Sequence, residues 1–341
     1  MRDSVSVTIV TYNSARYIGR CLDSVLSQSG PPIEIVVVDN ASRDSTLQLL
    51  RRFERRVRVI RNGRNAGFAA AQNQAIAAAG GDWVLTLNPD ALLLPGFIER
   101  LVEAGSGDAA VGSVCGRLLS IGAGFVKPAE LRIDSAGIYM TPSMRHFDRG
   151  WGEPDDGRYR EPEYVFGASA AAALYRREMI RDISIGGEFF DSDFFAYRED
   201  ADVAWRAQLL GWRCLYVPGA VAWHVRSVVP SRRGSLPPAV NMHSVKNRIL
   251  MRVKNATSGL YRRCWLPATG RDLLVLGACL IYEQTSLPAF WHAARCLPAA
   301  LRKRREILRR RRVGDEALVR WFNDCPASES VPARGCMVRA R

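Results

Sequence analysis

Short apolar runs alternate with amphipathic segments from the start of the chain. Residues 5–10 are apolar and β-branched and end in the polar trio Thr11-Tyr12-Asn13, the pattern of a buried strand opening onto a binding turn. Ile18, Leu22, Val25 and Leu26 then recur at helical spacing within residues 16–28. After Gly30-Pro31-Pro32, residues 33–38 predict a second buried strand, which stops at Asp39-Asn40-Ala41-Ser42. Ser42 is placed to cap a helix over about residues 45–53. Residues 57–60 predict a third strand and the alanine-rich residues 68–79 a helix that can lie close to a sheet. Gly80-Gly81 ends that helix before a fourth strand at 83–87. Strands alternating with helices in this way predict an α/β fold with a mainly parallel sheet.

The pattern then loosens. Between residues 105 and 163 glycine, proline and charge are frequent, and only short strands such as 112–119 are predicted; long loops of this kind border active sites. Residues 164–175 become small and apolar again around Gly167, where either a ligand or close packing would favour glycine. Val203, Ala207 and Leu210 mark a helix ended by Gly211. Short strands follow at 215–218 and 221–224.

The chemistry gathers at the ends of these elements. The strand 83–87 runs into Asn88-Pro89-Asp90, where oxygen ligands at a strand's carboxyl end would suit Mg²⁺ or Mn²⁺ carrying a diphosphate. A plain turn would use the same three residues. Glu199, Asp200 and Asp202 occupy the first turn of the helix that follows three aromatics, Phe194, Phe195 and Tyr197. Asp202 is placed to pair with Arg206, four residues on, and acidic residues complement a helix N-terminus, which leaves Glu199 and Asp200 to be explained. His224 follows Trp223, and a lone histidine is more often structural than functional.

Composition adds a strong asymmetry. The 341 residues carry a formal charge of +14, but residues 1–225 are close to neutral at −2 and residues 226–341 carry +16. A basic last third suggests a polyanionic partner, an anionic membrane surface or nucleic acid, unless it is simply a solvated face. Eight cysteines without a C-x-x-C pair fit reduced thiols and a cytoplasmic setting. The first residues show no signal-peptide core. The longest unbroken apolar run, residues 273–282, is short of the roughly 20 residues that cross a bilayer. The absence of G-x-G-x-x-G and of a Walker loop argues against dinucleotide oxidoreductases and P-loop NTPases.

With these residues in hand, the chain resembles the family 2 inverting glycosyltransferases of GT-A fold, in particular bacterial rhamnosyltransferase-like and galactofuranosyltransferase-like members. The resemblance covers about residues 4–255 and rests on six elements in order: Thr11-Tyr12-Asn13, Val38-Asp39-Asn40-Ala41-Ser42, Asn65-Ala66-Gly67-Phe68-Ala69, Leu87-Asn88-Pro89-Asp90, residues 195–202 with Arg206, and Trp223-His224. It implies that Thr11, Tyr12, Asn13 and Asp39 hold the nucleoside, the Asp39 carboxylate accepting from a pyrimidine imide. Asn65 and Gly67 would lie against ribose or diphosphate. Asn88 and Asp90 fill the family's D-x-D motif with its first Asp replaced, so Asp90 is the main carboxylate ligand of the divalent cation and His224 completes the site. Asp200 would accept the proton of the attacking hydroxyl, with Glu199 as the alternative. A helix N-terminus would lower that carboxylate's pKa and the aromatics would raise it, and sequence does not decide which wins.

The resemblance implies a sugar moved from a dTDP- or UDP-linked donor, rhamnose first, to a glycan or lipid-linked acceptor in cell-envelope polysaccharide synthesis. Three regions are expected: a catalytic domain over 1–225, a basic helical extension over 226–329 and a disordered tail over 330–341. In the extension, apolar pieces around 273–282, 287–291 and 297–301, broken by Pro288 and Pro298, adjoin arginines at 302–305 and 309–312. That suits a peripheral anchor on the cytoplasmic face of the inner membrane. The competing readings are a nucleic-acid-binding protein using the arginines, which lack interleaved aromatics, and an inactive transferase-like scaffold.

Overall fold

In a computed structural model that describes residues 3–226, 236–325 and 328–331, the strand β1 (Val5–Thr11) is buried at every position. A strand covered on both faces has no solvent side to alternate toward, hence its continuous apolar run. Helix α1 (Ile18–Leu26) leads to β2 (Ile33–Asp39). Next, α2 (Thr46–Leu50) and a 3-10 turn at Arg51–Phe53 lead to β3 (Arg58–Arg61). The alanine-rich α3 (Phe68–Ala78) packs Ala71 and Ala75 on Val10, Val36 and Val38 before β4 (Trp83–Leu87). β1 pairs in parallel with β2 and β4, and β2 with β3, so the carboxyl ends of four strands open on one edge.

The second half of the sheet is mixed. The chain passes through β5 (Ala91–Leu93), α4 (Phe97–Ser106) and β6 (Val111–Ser120). Four short strands follow: β7 (Ile133–Ser135), β8 (Ile138–Met140), β9 (His146–Asp148) and β10 (Glu163–Val165). Then come β11 (Ala172–Arg176), α5 (Arg177–Ile183), α6 (Glu199–Leu209) and β12 (Arg213–His224). β11 lies antiparallel between β4 and β6, so β6, and β12 parallel beside it, point the same way as β4. The two strands expected at 215–218 and 221–224 are one strand, β12, whose register against β6 shifts between Val217 and Val221. That bulge tolerates Pro218. Across from it stands Gly116, whose added Cβ would lie 2.3 Å from the Ala220 carbonyl oxygen.

The last third is helical: α7 (Pro238–Asn255), α8 (Ser258–Ile281), α9 (Pro288–Arg310) and the short α10 (Asp315–Val319). Three apolar pieces broken by proline were expected; the chain instead keeps Pro298 inside α9 and Pro267 inside α8. Each such proline deletes one intrahelical hydrogen bond, and α9 is held along its length against α7. Leu250, Met251, Leu260, Ile307, Trp321 and Phe322 from this region belong to the same apolar core as the sheet. The final strand β13 (Glu329–Ser330) pairs with β10, placing Ser330 of the expected tail in the sheet. Residues 332–341 of that tail, and 227–235, lie outside the described residues.

Two expectations about the extension are corrected. Helix α8 is by length and composition long and apolar enough to cross a membrane, because Arg271 and Asp272 interrupt an otherwise apolar stretch that an unbroken-run count cuts short. And the basic segment is not one surface. Lys303 pairs with Asp191 at 2.5 Å and Asp193 at 2.8 Å, Arg304 donates to the carbonyls of Val253 and Ala256, and Arg312 pairs with Asp182 at 2.6 Å. Lys303 and Arg312 thus hold the extension to the sheet domain and Arg304 ties α9 to the end of α7, while Arg302, Arg305 and Arg309 point out.

Candidate active site

Topology brings the predicted polar residues to one edge. Thr11 and Asp39 end β1 and β2, Asn88 and Asp90 follow β4, and His224 ends β12, all strands of one direction. β5 folds back against β12 so that Ala91 faces His224, and the Val225 N–H donates to the Asp90 carbonyl at 3.0 Å.

His224 Nε2 lies 3.4 Å from Asp90 Oδ1 and 3.3 Å from Asn88 Nδ2. Its Nδ1 is 2.8 Å from Oδ2 of Asp134, a fully buried carboxylate that nothing in the local sequence marks. Arg226 Nε donates to Asp134 Oδ1 at 2.6 Å, and its NH2 to Asp148 Oδ2 at 2.7 Å. Burial alone would lower the imidazole's pKa, but Asp134, helped by Asp90, outweighs it and pushes it up to about 10.

These residues fit a divalent cation. A ligating histidine commonly donates its other ring nitrogen to a carboxylate, as Nδ1 does here to Asp134, and a cation taking the place of the Nε2 proton would have Nε2 and Asp90 Oδ1 side by side as ligands. No group of three or more His, Cys, Asp or Glu side chains able to hold an ion occurs among the described residues. Two protein donors suit an ion whose remaining ligands are phosphate oxygens and water.

Asp200 reaches the same edge through backbone. Its Oδ2 accepts from the Ala170 N–H at 3.3 Å and its Oδ1 from the Ala201 N–H at 2.8 Å, while the next carbonyl, that of Ala171, accepts from the Asn88 N–H at 2.9 Å. Desolvation decides the question the sequence left open. Burial, then the Asp148 carboxylate, raises Asp200 to about 6, and burial, then Asp200, raises Glu199 to about 8. Glu199 is the more enclosed, its buried Oε2 having no hydrogen-bond partner. Asp202 serves structure, as expected, pairing with buried Arg206 at 2.9 Å and Lys254 at 2.9 Å.

The loop before α6 is strained. Phe195, Tyr197 and Arg198 have φ of 67°, 73° and 72°, a region non-glycine residues rarely occupy. Helix α7 holds it there. The buried Asn247 Nδ2 lies 2.9, 2.8 and 2.8 Å from the carbonyls of Phe194, Ala196 and Tyr197, and Arg198 Nε donates to the Ser244 carbonyl at 2.9 Å.

At the other end of the edge, Asp39 is buried and accepts from Thr11 Oγ1 at 2.9 Å and from the Ser42 N–H at 3.0 Å. Tyr12 stands at the rim, 49% exposed. Asn13 is a latch: it accepts from the Arg43 N–H at 2.8 Å and its own N–H donates to Ser42 Oγ at 2.9 Å. Asn65 accepts from the Gly67 N–H at 2.9 Å, and the Gly67 carbonyl accepts from Asn40 Nδ2 at 3.0 Å. Gly67 has φ +86° and abuts Phe195, where a Cβ would come within 2.6 Å of ring and carbonyl. Gly167 is small for packing, since its Cβ would meet that of Ala204 at 2.2 Å. Gln72 and Asn73 face the fold, bonding the Thr8 and Phe190 carbonyls.

The structure thus adds Asp134, Arg226, Asn40 and Asn247. Arg226 and Asn40 flank predicted residues; Asp134 and Asn247 carry no signal in the chain around them.

Known proteins resemble this chain in sequence and in fold. Residues 6–184 match the model of glycosyl transferase family 2. The N-acetylglucosaminyl-diphospho-decaprenol L-rhamnosyltransferase of Mycobacterium tuberculosis is 30% identical over 240 residues, 66% of this chain and 76% of that protein. Among solved structures, GalNAc-T7 with UDP, GalNAc and Mn²⁺ superposes over 87% of this chain with a TM-score of 0.60 at 17% identity, this chain spanning 57% of its length. The mannosyltransferase PcManGT of Pyrobaculum calidifontis, in complex with GDP-Man and Mn²⁺, superposes over 91% of this chain and 86% of its own with a TM-score of 0.53 at 19% identity. At these identities the two structures speak for the fold.

Proposed function

Because the chain belongs to glycosyl transferase family 2 and has the GT-A fold, it is a glycosyltransferase, and we propose that it transfers L-rhamnose, with inversion, from a pyrimidine nucleoside diphosphate to a hydroxyl of a lipid-linked glycan. The choice of sugar and acceptor is supported by the Mycobacterium tuberculosis relative, whose name states both. UDP-linked hexoses and galactofuranose are the other donors the site would admit.

In this reading Asp39 and Thr11 take the base, with Tyr12 at the rim, Asn13 and Asn65 shape the loops around the nucleotide, and Asn88 flanks the diphosphate. Asp90 and His224 hold a divalent cation, Mg²⁺ or Mn²⁺, which when bound supplies positive charge against the leaving diphosphate. The acceptor oxygen bonds to the anomeric carbon as that carbon's bond to the diphosphate oxygen breaks, the electron pair leaving with the nucleotide. The acceptor's proton passes to Asp200, whose raised pKa keeps it basic enough for the task and still ionised at neutral pH. Glu199, enclosed and held neutral at pH 7 by the same burial, supports rather than replaces it.

The observation that carries this reading is the meeting of Asp90, Asn88 and His224 within 3.4 Å at the edge where Asp200 is also anchored. The test is a thermal-shift screen of dTDP- and UDP-sugars with and without Mn²⁺, because a ligand that binds only the native state raises its melting temperature. A dTDP-sugar should give the largest shift, and only with the ion present. Equal shifts in the presence of a chelator would remove the cation from the reading. The acceptor places the enzyme at the cytoplasmic face of a membrane.

A further inference from the structure

Of the fifteen large apolar side chains exposed among the described residues, twelve lie between Tyr261 and Leu301, on α8, α9 and the turn joining them. Monomeric soluble proteins seldom leave so much apolar surface together. In α8 only Leu260, Cys264, Ala268 and Cys279 are buried, and its most apolar stretch is 17% buried. Leu273, Leu274, Leu280, Ile281 and Tyr282 are all more than half exposed, as is Trp291 at the start of α9.

Helix α8 is nevertheless bound to the protein along its length. At its start the Thr257 side chain caps the helix and donates to Asp315 at 2.5 Å. At its middle Asp272 pairs with Arg248 at 2.9 Å and also with Arg252, both on α7. Near its end Val275 and Cys279 pack with Val245 of α7 and Ala289 of α9. A helix covered on one side from end to end presents a face, whereas a bilayer-crossing helix leaves the domain that carries it.

The uncovered face is flanked by cations. Arg302, Arg305 and Arg309 recur at i, i+3 and i+7 on the outer side of α9, and Arg262, Arg263 and Arg295 are exposed as well. None of the six makes an ion pair with the described residues. Apolar side chains with aromatic residues beside them and arginines alongside are what an interfacial helix presents to lipid. A second copy of the chain is a poor occupant, because a two-fold contact would set these arginines against themselves.

We propose that α8 and the first half of α9 form a monotopic foot, lying in the plane of an anionic phospholipid leaflet without crossing it. Leu273, Leu274, Ile281, Tyr282 and Trp291 enter the acyl boundary, and Arg302, Arg305 and Arg309 meet the headgroups. The foot deepens the reading of a lipid-linked acceptor and rests on it for its purpose.

The test is co-sedimentation of the full chain, without nucleotide, with vesicles of phosphatidylcholine alone or mixed with phosphatidylglycerol. The protein should pellet with the mixed vesicles. The triple variant Arg302→Gln, Arg305→Gln, Arg309→Gln should bind them about 100-fold less tightly, at about fivefold per cation. Leu274→Glu with Ile281→Glu should lose binding to the mixed vesicles while keeping the wild-type circular dichroism and melting curve, since both positions face solvent. Wild type remaining in solution with anionic vesicles would overturn the proposal, as would unchanged binding by the leucine and isoleucine variant. So would a concentration-dependent dimer that this variant dissolves, which would assign the face to self-association. Failed binding would leave the transferase reading intact, and failed sugar transfer would leave the foot intact.

Discussion

Asp134 Oδ2 stands 2.8 Å from His224 Nδ1, so the imidazole's orientation is set from behind by a carboxylate that never reaches the open edge of the sheet. Removing its charge should act through His224. Asp134→Asn is expected to weaken Mn²⁺-dependent donor binding by about 10- to 100-fold, the usual cost of losing a residue behind a ligating histidine. Titration calorimetry with the nucleotide and the ion checks this. Weakened binding confined to the ion-containing titrations separates that role from a general loss of fold.

Asp200→Asn should lower turnover by about 10²- to 10⁴-fold, the range for a lost general base, and leave donor affinity unchanged. A variant that kept most of its turnover would move the role to Glu199. Single-turnover rates with pre-bound donor give the answer.

The same carboxylate predicts a pH profile. A base works ionised, so the kcat/KM of the wild type should fall as pH drops through about 6, where Asp200 takes up its proton. Stability runs the other way. The folded-state pKa lies above the ordinary carboxylate value near 4, so Asp200 favours the fold when protonated, and that contribution is lost as pH rises from about 4 to about 6. Asp200→Asn should therefore melt higher than wild type at pH 7.5, by about 1 kcal/mol or more in stability, and the gap should narrow at pH 5. Melting curves at the two pH values test the sign.

Asn247→Ala should slow the chemical step by about tenfold or more without moving the donor KM, because it frees the three carbonyls that hold Phe195 to Arg198 in their unfavourable dihedrals. A parallel rise in donor KM would mean that the whole edge had moved.

Gly67→Ala should cost about 1–3 kcal/mol in stability, since alanine must accept φ +86° and also displace Phe195. Denaturant unfolding measures it. Loss of turnover beyond the loss of folded protein would show that Phe195 carries the displacement to Asp200.

Much of this was legible in the chain. β1, β2, β4 and α3 follow from runs and spacings because each is buried on both faces or packs by its small residues, and their bounds agree with expectation to within a residue or so. The Asn88-Pro89-Asp90 turn and His224 were readable as polar tips on apolar strands. What escaped depends on distant partners. Asp134 sits in a loop-rich stretch where no period marks it, and becomes meaningful only once β7 is seated beside β6. Asn247 is one amide on a helix, defined by carbonyls some fifty residues earlier. The basic residues of α9 look alike in sequence, yet helical rotation sends Lys303 and Arg304 inward and Arg302 and Arg305 outward. Glu199 and Asp200 drew opposing arguments from helix end and aromatic surroundings, and the depth at which α6 is buried gave the second the larger effect.

Helix α7 grips the loop ahead of α6 with one side and packs along α9 with the other. Asp200 and the outer helices are consequently one mechanical unit, and the borders of the family match, which end at residue 184, fall short of both. Swapping the last third of this chain for that of a relative, in the hope of changing only where the enzyme settles, would also reset the loop that leads into Asp200.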